Sequence, residues 1–296
     1  MKRTAAYGLV LAGAGTLFLT PDAMLMRMSG MDGFQMVGWR GLLVSAVMAT
    51  AWLITSRDRR GDLIEMGSGV GLGLILCQFL NATLFGVGVA LAPVAVVLFG
   101  VATVPVFAAI LSWLLIGERA RPATWVATVA VLLGIGIAVL GGEGSGVALD
   151  PRALIGALMG LGVALALALN FVMLRARPRV PIMLVMACGS CLAGLNGLAI
   201  TGPGAMLNGQ VWAIVITGAV ILPVSFFALS LASRHTHPAN VSLLMLMETV
   251  LAPFWVWLGV GERPTQMMML GGGIVVGSLA VYLLVIRRWP APRLPG

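Results

Sequence analysis

The chain has 296 residues, of which 60% are hydrophobic and only 9% charged, with a mean hydropathy of +1.05. No water-soluble domain has that composition, and apolar stretches of roughly 20 residues recur so densely that no room is left for one. The formal net charge of +8 would suggest nucleic acid in a soluble protein, but its placement along this chain gives it another meaning.

The pattern predicts ten membrane-spanning helices, at about 4–26, 34–56, 67–90, 93–116, 122–141, 153–174, 181–201, 210–232, 238–260 and 265–286. The first is too long for a signal-peptide core and lacks a small-residue cleavage site, so it is read as a retained helix. Pro21 should kink it. Asp22 lies about one and a half turns before its outer end, and Arg40 a similar distance into the second span. At a rise of roughly 1.5 Å per residue their depths match, predicting a salt bridge that is either an outer gate or a static brace. In the third span Gln78, Asn81 and Phe85 share one face, which could orient a zwitterion beside an apolar group or bind a neighbouring helix.

Thr103 lies at mid-depth in the fourth span, and Asn170, Ser225 and Ser242 are further polar candidates; small hydroxyls in spans often bond their own backbone. Glu248 falls near the middle of the ninth span. An isolated ionised carboxylate is strongly disfavoured there, so it should be protonated, paired or facing a wet cavity, as a substrate-amine site, a proton site or a structural hydrogen bond. Candidate cavity aromatics are Phe79, Phe99, Phe107 and Phe171, each with a packing alternative. The tryptophans fall toward span ends and form an interfacial belt. Runs at Gly67–Gly73, Gly156 with Gly160, and Gly273 with Gly277 should let helices approach closely. Cys77, Cys188 and Cys191 lie within spans without histidine or carboxylate neighbours, as packing residues rather than metal ligands. His235 and His237 fall in a loop, where solvent exposure is expected.

With the N-terminus inside, the cytoplasmic side collects Lys2, Arg3, Arg57, Arg59, Arg60, Arg119, Arg121, Arg175, Arg177, Arg179, Arg234, Arg287, Arg288 and Arg293, most of the 18 basic residues. Arg27, Arg152 and Arg263 stay outside. This bias predicts both termini in the cytoplasm and explains the positive charge as topology, not as nucleic-acid binding. One lysine beside many arginines, with abundant Ala, Gly and Val, points to a bacterial inner membrane.

Residues 104–119 laid against 248–263 reveal an internal repeat: Trp113, Leu114, Gly117, Glu118 and Arg119 meet Trp257, Leu258, Gly261, Glu262 and Arg263. Five spans separate the two blocks, and an odd number inverts the second half in the membrane. The expected architecture is therefore an all-α membrane protein of ten transmembrane helices, a five-plus-five inverted repeat around a central cavity. Residues 1–146 form the first repeat and 147–289 the second, with 290–296 a proline-rich tail. Glu118 and Glu262 are read as structural, capping the next helix or pairing with a basic neighbour.

The segment from Pro105 to Glu118 closely resembles the end of the fourth helix in the EamA-type branch of the drug/metabolite transporter superfamily. Glu248 to Glu262 resembles the ninth, and the likeness extends to Arg40 and to Asn170–Phe171. Thr249 stands where the first half has Pro105, and Pro253 lies one turn later, which departs from the pattern at the bend of the ninth helix. The resemblance implies a basket of ten helices with a central cavity, exporting amino acids or other small metabolites. One branch exports aromatic amino acids, and this chain is similar to it.

Lys2 is the only lysine, which excludes a phosphate-binding Gly-Lys loop and direct drive by ATP. No H-E-x-x-H or G-x-S-x-G motif occurs, and neither a carbonyl filter nor a charged ring marks a channel. The reading is a secondary transporter working by alternating access, without cofactor, as a monomer or weak dimer whose partners are a small-molecule substrate and the bilayer. Gln78, Asn81, Thr103 and Glu248, with Phe79 and Ser242, are the expected substrate contacts, and Asp22 with Arg40 the gate or brace. The alternatives are a drug or metabolite exporter of the same fold coupled to protons through Glu248, and, from another class, an intramembrane enzyme or channel.

Overall fold

The structure, a computed structural model, describes residues 2–92, 94–140, 151–261 and 266–288, and no strand occurs among them. The 146–147 boundary, Glu262, Arg263, Trp289 and the tail lie outside the described residues. The chain opens with α1 (Lys2–Leu19) and α2 (Asp22–Ser29), one apolar rod interrupted at Thr20–Pro21. Pro21 has no N–H for the Leu17 carbonyl one turn back, and the Thr20 hydroxyl donates to that carbonyl instead, at 2.8 Å. α3 (Gly33–Thr55), α4 (Arg59–Met66) and α5 (Gly69–Leu91) each begin on a side-chain cap: Asp32, Asp58 and Ser68 accept from the backbone N–H three residues on. The short polar α4 fills the turn between the second and third expected spans.

α6 (Val94–Val101) and α7 (Val104–Ile116) are separated at Ala102–Thr103, just where Pro105 denies Val101 its partner. α7 stops at Gly117, whose φ of 70° is a left-handed terminus that suits glycine. Then come α8 (Pro122–Leu140), α9 (Pro151–Ala176) and α10 (Ile182–Thr201). A 3-10 turn at Ala205–Leu207 leads into α11 (Val211–Ile216), a π-turn (Thr217–Ile221) and α12 (Leu222–His235). Pro223 explains the π-turn: it cannot serve the Ala219 carbonyl, and the Leu222 N–H reaches back to Thr217. α13 (Pro238–Met245) and α14 (Met247–Val260) are interrupted at Leu246, α14 ends at Gly261 with φ 82°, and α15 (Gln266–Arg288) closes the described chain.

Among the described residues, seven helical stretches are long and apolar enough to cross a membrane: Ala6–Ser29, Gly33–Thr55, Gly69–Leu91, Leu154–Ala176, Ile182–Thr201, Val211–His235 and Pro238–Gly259. Val104–Ile116, Pro122–Gly134 and Met269–Tyr282 are apolar but shorter. The fourth expected span falls short because the Ala102–Thr103 break divides it.

Four pairings dominate the packing: α3 with α10, α8 with α15, α5 with α9, and α1 with α12. In the first, a Cβ on Gly41 would strike the backbone of Gly194, and one on Gly194 the backbone of Leu42. In the second, Gly134 lies against the Gly271 carbonyl. Lipid tails give apolar helices little reason to associate, so backbone-close dispersion contact supplies the adhesion. Gly273 and Gly277, expected to serve the same purpose, face open space. Phe171, for which the sequence leaves both a cavity and a packing role open, is fully buried in the core that α9 shares with α1, α12 and α13. Tyr282 of α15 donates to Asn240 Oδ1 at 2.5 Å, a buried polar tie between α15 and α13.

Candidate solute-binding site

A helix break leaves backbone N–H groups without partners and a partial positive charge on the half-helix that follows. Three such breaks meet at one cavity of about 80 Å³, several times the room one water needs. Leu19 and Asp22 flank the α1–α2 break on its wall, Leu98 and Val101 precede the α6–α7 break, and Met245, Leu246 and Glu248 form the α13–α14 break. α3 adds Arg40, α5 adds Gln78, Asn81 and Phe85, α10 adds Ser190, and α12 adds Phe226. Asp22 lies in the first turn of α2 and Glu248 in the first turn of α14. These positions explain how an apolar chain holds two internal carboxylates: each lies against the positive end of a half-helix.

Asp22 is 2% exposed; its Oδ2 accepts from Arg40 Nη2 at 2.6 Å, while its Oδ1 is buried without a hydrogen-bond partner. The second Arg40 nitrogen, Nη1, lies 2.7 Å from the Met26 sulfur, and the guanidinium carbon is 5.9 Å from the centre of the Phe85 ring. That places the cation on the electron-rich ring face as well as on the carboxylate. Glu248 is within electrostatic reach of both Asp22 and Arg40, and no donor among the described residues bonds it. Gln78 donates from Nε2 to Ser190 Oγ at 3.3 Å, leaving its carbonyl unspent, and the Asn81 amide faces the cavity without a side-chain bond.

Gln78, Asn81, Glu248, Asp22 and Arg40 thus come together on one wall system. Thr103, Phe79 and Ser242 lie off it. The Thr103 hydroxyl donates to the Gly100 carbonyl at 2.7 Å, and the Ser242 hydroxyl faces the carbonyls of Pro238 and Ala239, each at 3.1 Å. Phe79 is one residue from Gln78 and therefore points about 100° around α5. Sequence reasoning passed over Ser190, Phe226 and Thr249. Met186, Ser190 and Gly194 recur every four residues, the one signal that Ser190 shares the face packed on α3.

A second polar cluster ties α7, α9, α12 and α13. The Glu118 carboxylate accepts from Arg175 Nε at 2.9 Å, and Arg175 Nη1 donates to the Arg234 carbonyl at 3.0 Å. Arg234 in turn donates from Nη2 to the Val180 carbonyl. Of the two expected roles for Glu118, pairing is the one observed. The histidines are not solvated as expected: the His235 ring meets Tyr7 edge-on at 5.3 Å, and the half-buried His237 contacts the Glu118 carbonyl at 3.4 Å. Burial holds the His237 imidazole below its ordinary value near 6.5, against the opposing pull of the Glu118 carbonyl. Cys77, Cys188 and Cys191 are free thiols, and among the described residues no group of three or more His, Cys, Asp or Glu could hold a metal.

The fold is shared with a protein of known structure. A crystal structure of another protein superimposes with a TM-score of 0.77 at 21% identity, over 97% of this chain and 99% of its own. The uncharacterized transporter YdfC of Bacillus subtilis (strain 168) is 24% identical over 254 residues, 83% of this chain and 81% of that protein. Residues 5–140, from within α1 to the end of α8, match the EamA-like transporter family.

Proposed function

We propose that the whole chain is an EamA-like secondary transporter that exports amino acids, aromatic or otherwise hydrophobic and neutral, across a bacterial inner membrane by alternating access. The observation that carries this reading is the meeting of three interrupted helices at one cavity bearing Asp22, Arg40 and Glu248. Broken helices around buried polar groups are how secondary transporters build solute sites, because open backbone is tolerated only where it lines a cavity. Glu248 receives the substrate amine, the Gln78 and Asn81 amides orient its polar end, and Phe85 and Phe226 take the apolar body. Asp22 and Arg40 form the gate pair.

Ten spans in two inverted halves, 1–146 and 147–289, account for the packing. The break at Ala102 and the break at Leu246 stand at the same offset as Trp113 and Trp257, and the left-handed Gly117 and Gly261 repeat it. A two-fold axis in the membrane plane would map α3 onto α10 and α8 onto α15, two pairs that meet through glycines. It would also exchange the α5–α9 pair with the α1–α12 pair. The clustering of Arg57, Arg59, Arg60, Arg175, Arg177 and Arg179 supports cytoplasmic termini.

The test is uptake of labelled L-phenylalanine into proteoliposomes, with and without a pH gradient, for the wild type and Glu248→Gln. Saturable uptake reduced about tenfold or more by the substitution, the scale of one charge-assisted contact, supports the reading. Uptake that is linear in concentration means a channel, and no uptake of any amino acid removes the substrate class. Accumulation driven by the gradient and lost in Glu248→Gln supports proton coupling, as expected of a drug or metabolite exporter of this fold.

A further inference from the structure

The transport reading leaves open whether the carboxyl group of an amino acid matters to the site, and the cavity's own chemistry answers. Acceptors dominate the polar atoms that remain unspent: Asp22 Oδ1, the Glu248 carboxylate and the Gln78 carbonyl. The chief donors are the Asn81 amide and whatever Arg40 does not spend on Asp22 and Met26. Helix N-termini are the usual receptors for an anionic group, yet the two half-helix N-termini that line the cavity, those of α2 and α14, already carry Asp22 and Glu248. A substrate carboxylate would meet the paired Asp22 carboxylate and the Glu248 carboxyl group, two acidic side chains, in a poorly screened cavity. An ammonium group meets unsatisfied acceptors.

We infer that the site selects amphipathic cations, a protonated amine on an apolar or aromatic body, and that Arg40 is a tethered competitor for the amine's place on Asp22. The Arg40 guanidinium does what such a ligand would do: it donates to Asp22 and lies over the Phe85 ring. An arriving amine held by Glu248 also takes over Asp22 and the ring, and Arg40 is released from the pair. Asp22, Arg40 and Glu248 are the titratable side chains on the cavity wall among the described residues. The exchange also reaches beyond the cavity. Phe85 and Met26, both held by Arg40, line a second cavity of about 320 Å³ with Met31 and Met36. Displacing Arg40 therefore loosens the partition between the two spaces.

The inference builds on the transport reading for the substrate's route, but it is tested by equilibrium binding, which does not depend on flux. The detergent-solubilised full chain is titrated calorimetrically with 2-phenylethylamine, L-phenylalanine and 3-phenylpropionate. The amine should bind about tenfold more tightly than phenylalanine, and phenylpropionate should not bind measurably. Glu248→Gln should weaken the amine about tenfold, whereas Arg40→Gln should tighten it about threefold, a sign that a merely structural role for Arg40 would not produce. Phenylpropionate binding as well as the amine, no binding of any of the three, or a folded Arg40→Gln that fails to tighten the amine overturns the inference. Should Arg40→Gln not fold, Asp22→Asn with Arg40→Gln removes both charges. The amine must then weaken at least about threefold, and unchanged affinity overturns the inference. Amine-selective binding without flux in proteoliposomes would defeat the transport reading alone; flux that prefers phenylpropionate would defeat the selectivity alone.

Discussion

Arg40 has one strong partner and two weaker ones, and its energetics follow from that inequality. With 11% of its side chain exposed against 3% for Asp22, the pair is withdrawn from water, and neither charge can recover its hydration alone. Removing one member of such a pair costs about 3–5 kcal/mol, while removing both costs far less. Asp22→Asn should therefore lower the melting temperature clearly, and adding Arg40→Gln should restore most of the loss. Additive losses in the double variant would show that the two side chains are not coupled. The depths of Asp22 and Arg40 were legible in the sequence because helix rise is regular. So was the shared face of Gln78, Asn81 and Phe85, because α5 is unbroken there. Thr103 and Ser242 lie off the cavity wall, a placement the sequence did not show because polarity says nothing of direction: a small hydroxyl in a helix spends its proton on a carbonyl three or four residues back. Ser190 was unreadable since its partner, Gln78, lies on another helix 112 residues away.

Among the elements, the breaks matter most for function and divide by cause. Those at Thr20–Pro21 and Ala102–Thr103 and the π-turn before Pro223 follow from proline's missing N–H, and of these the sequence reading placed only the Pro21 kink. The break at Leu246 has no proline to mark it; only the repeat offset from Ala102 singles it out. Helix contact can be tested through glycine. Gly41→Val should cost about 1–3 kcal/mol because its side chain meets backbone that cannot move aside. Gly273→Val, in open space, should cost about 0.5 kcal/mol or less, and equal melting temperatures for the two would contradict the packing described. The cluster at Glu118 makes a prediction in pH. With the His237 imidazole held below its ordinary value near 6.5, the unfolded chain takes up a proton before the folded one as pH falls. Stability from this group is complete above pH 6.5 or so and declines below it. His237→Gln should flatten the fall in melting temperature between about pH 7 and 5, and an unchanged slope would mean the imidazole is solvated.

For the molecule as a whole, the helical membrane-protein class could be read from composition and periodicity, whereas the cavity could not; of the ten expected spans, seven stretches among the described residues reach spanning length and three are shorter. A lining is assembled from helices far apart in sequence, and whether a face meets lipid, protein or cavity depends on rotations that periodicity in a uniformly apolar helix does not encode. The inverted repeat proposed above would supply the missing order, since it would pair α3 with α10 and α8 with α15, which pack together, and bring the breaks to one cavity. An arrangement of two related halves around one site can exchange which side is open without rebuilding the site. A carrier of that kind returns faster when loaded on both sides. The most direct measurement is counterflow: proteoliposomes preloaded with unlabelled L-phenylalanine are given a trace of labelled L-phenylalanine outside, and influx is followed. A transient accumulation of label above equilibrium, saturating with the inner concentration and abolished by Glu248→Gln, is the expected result. Influx indifferent to preloading and linear in concentration would contradict the account at its centre.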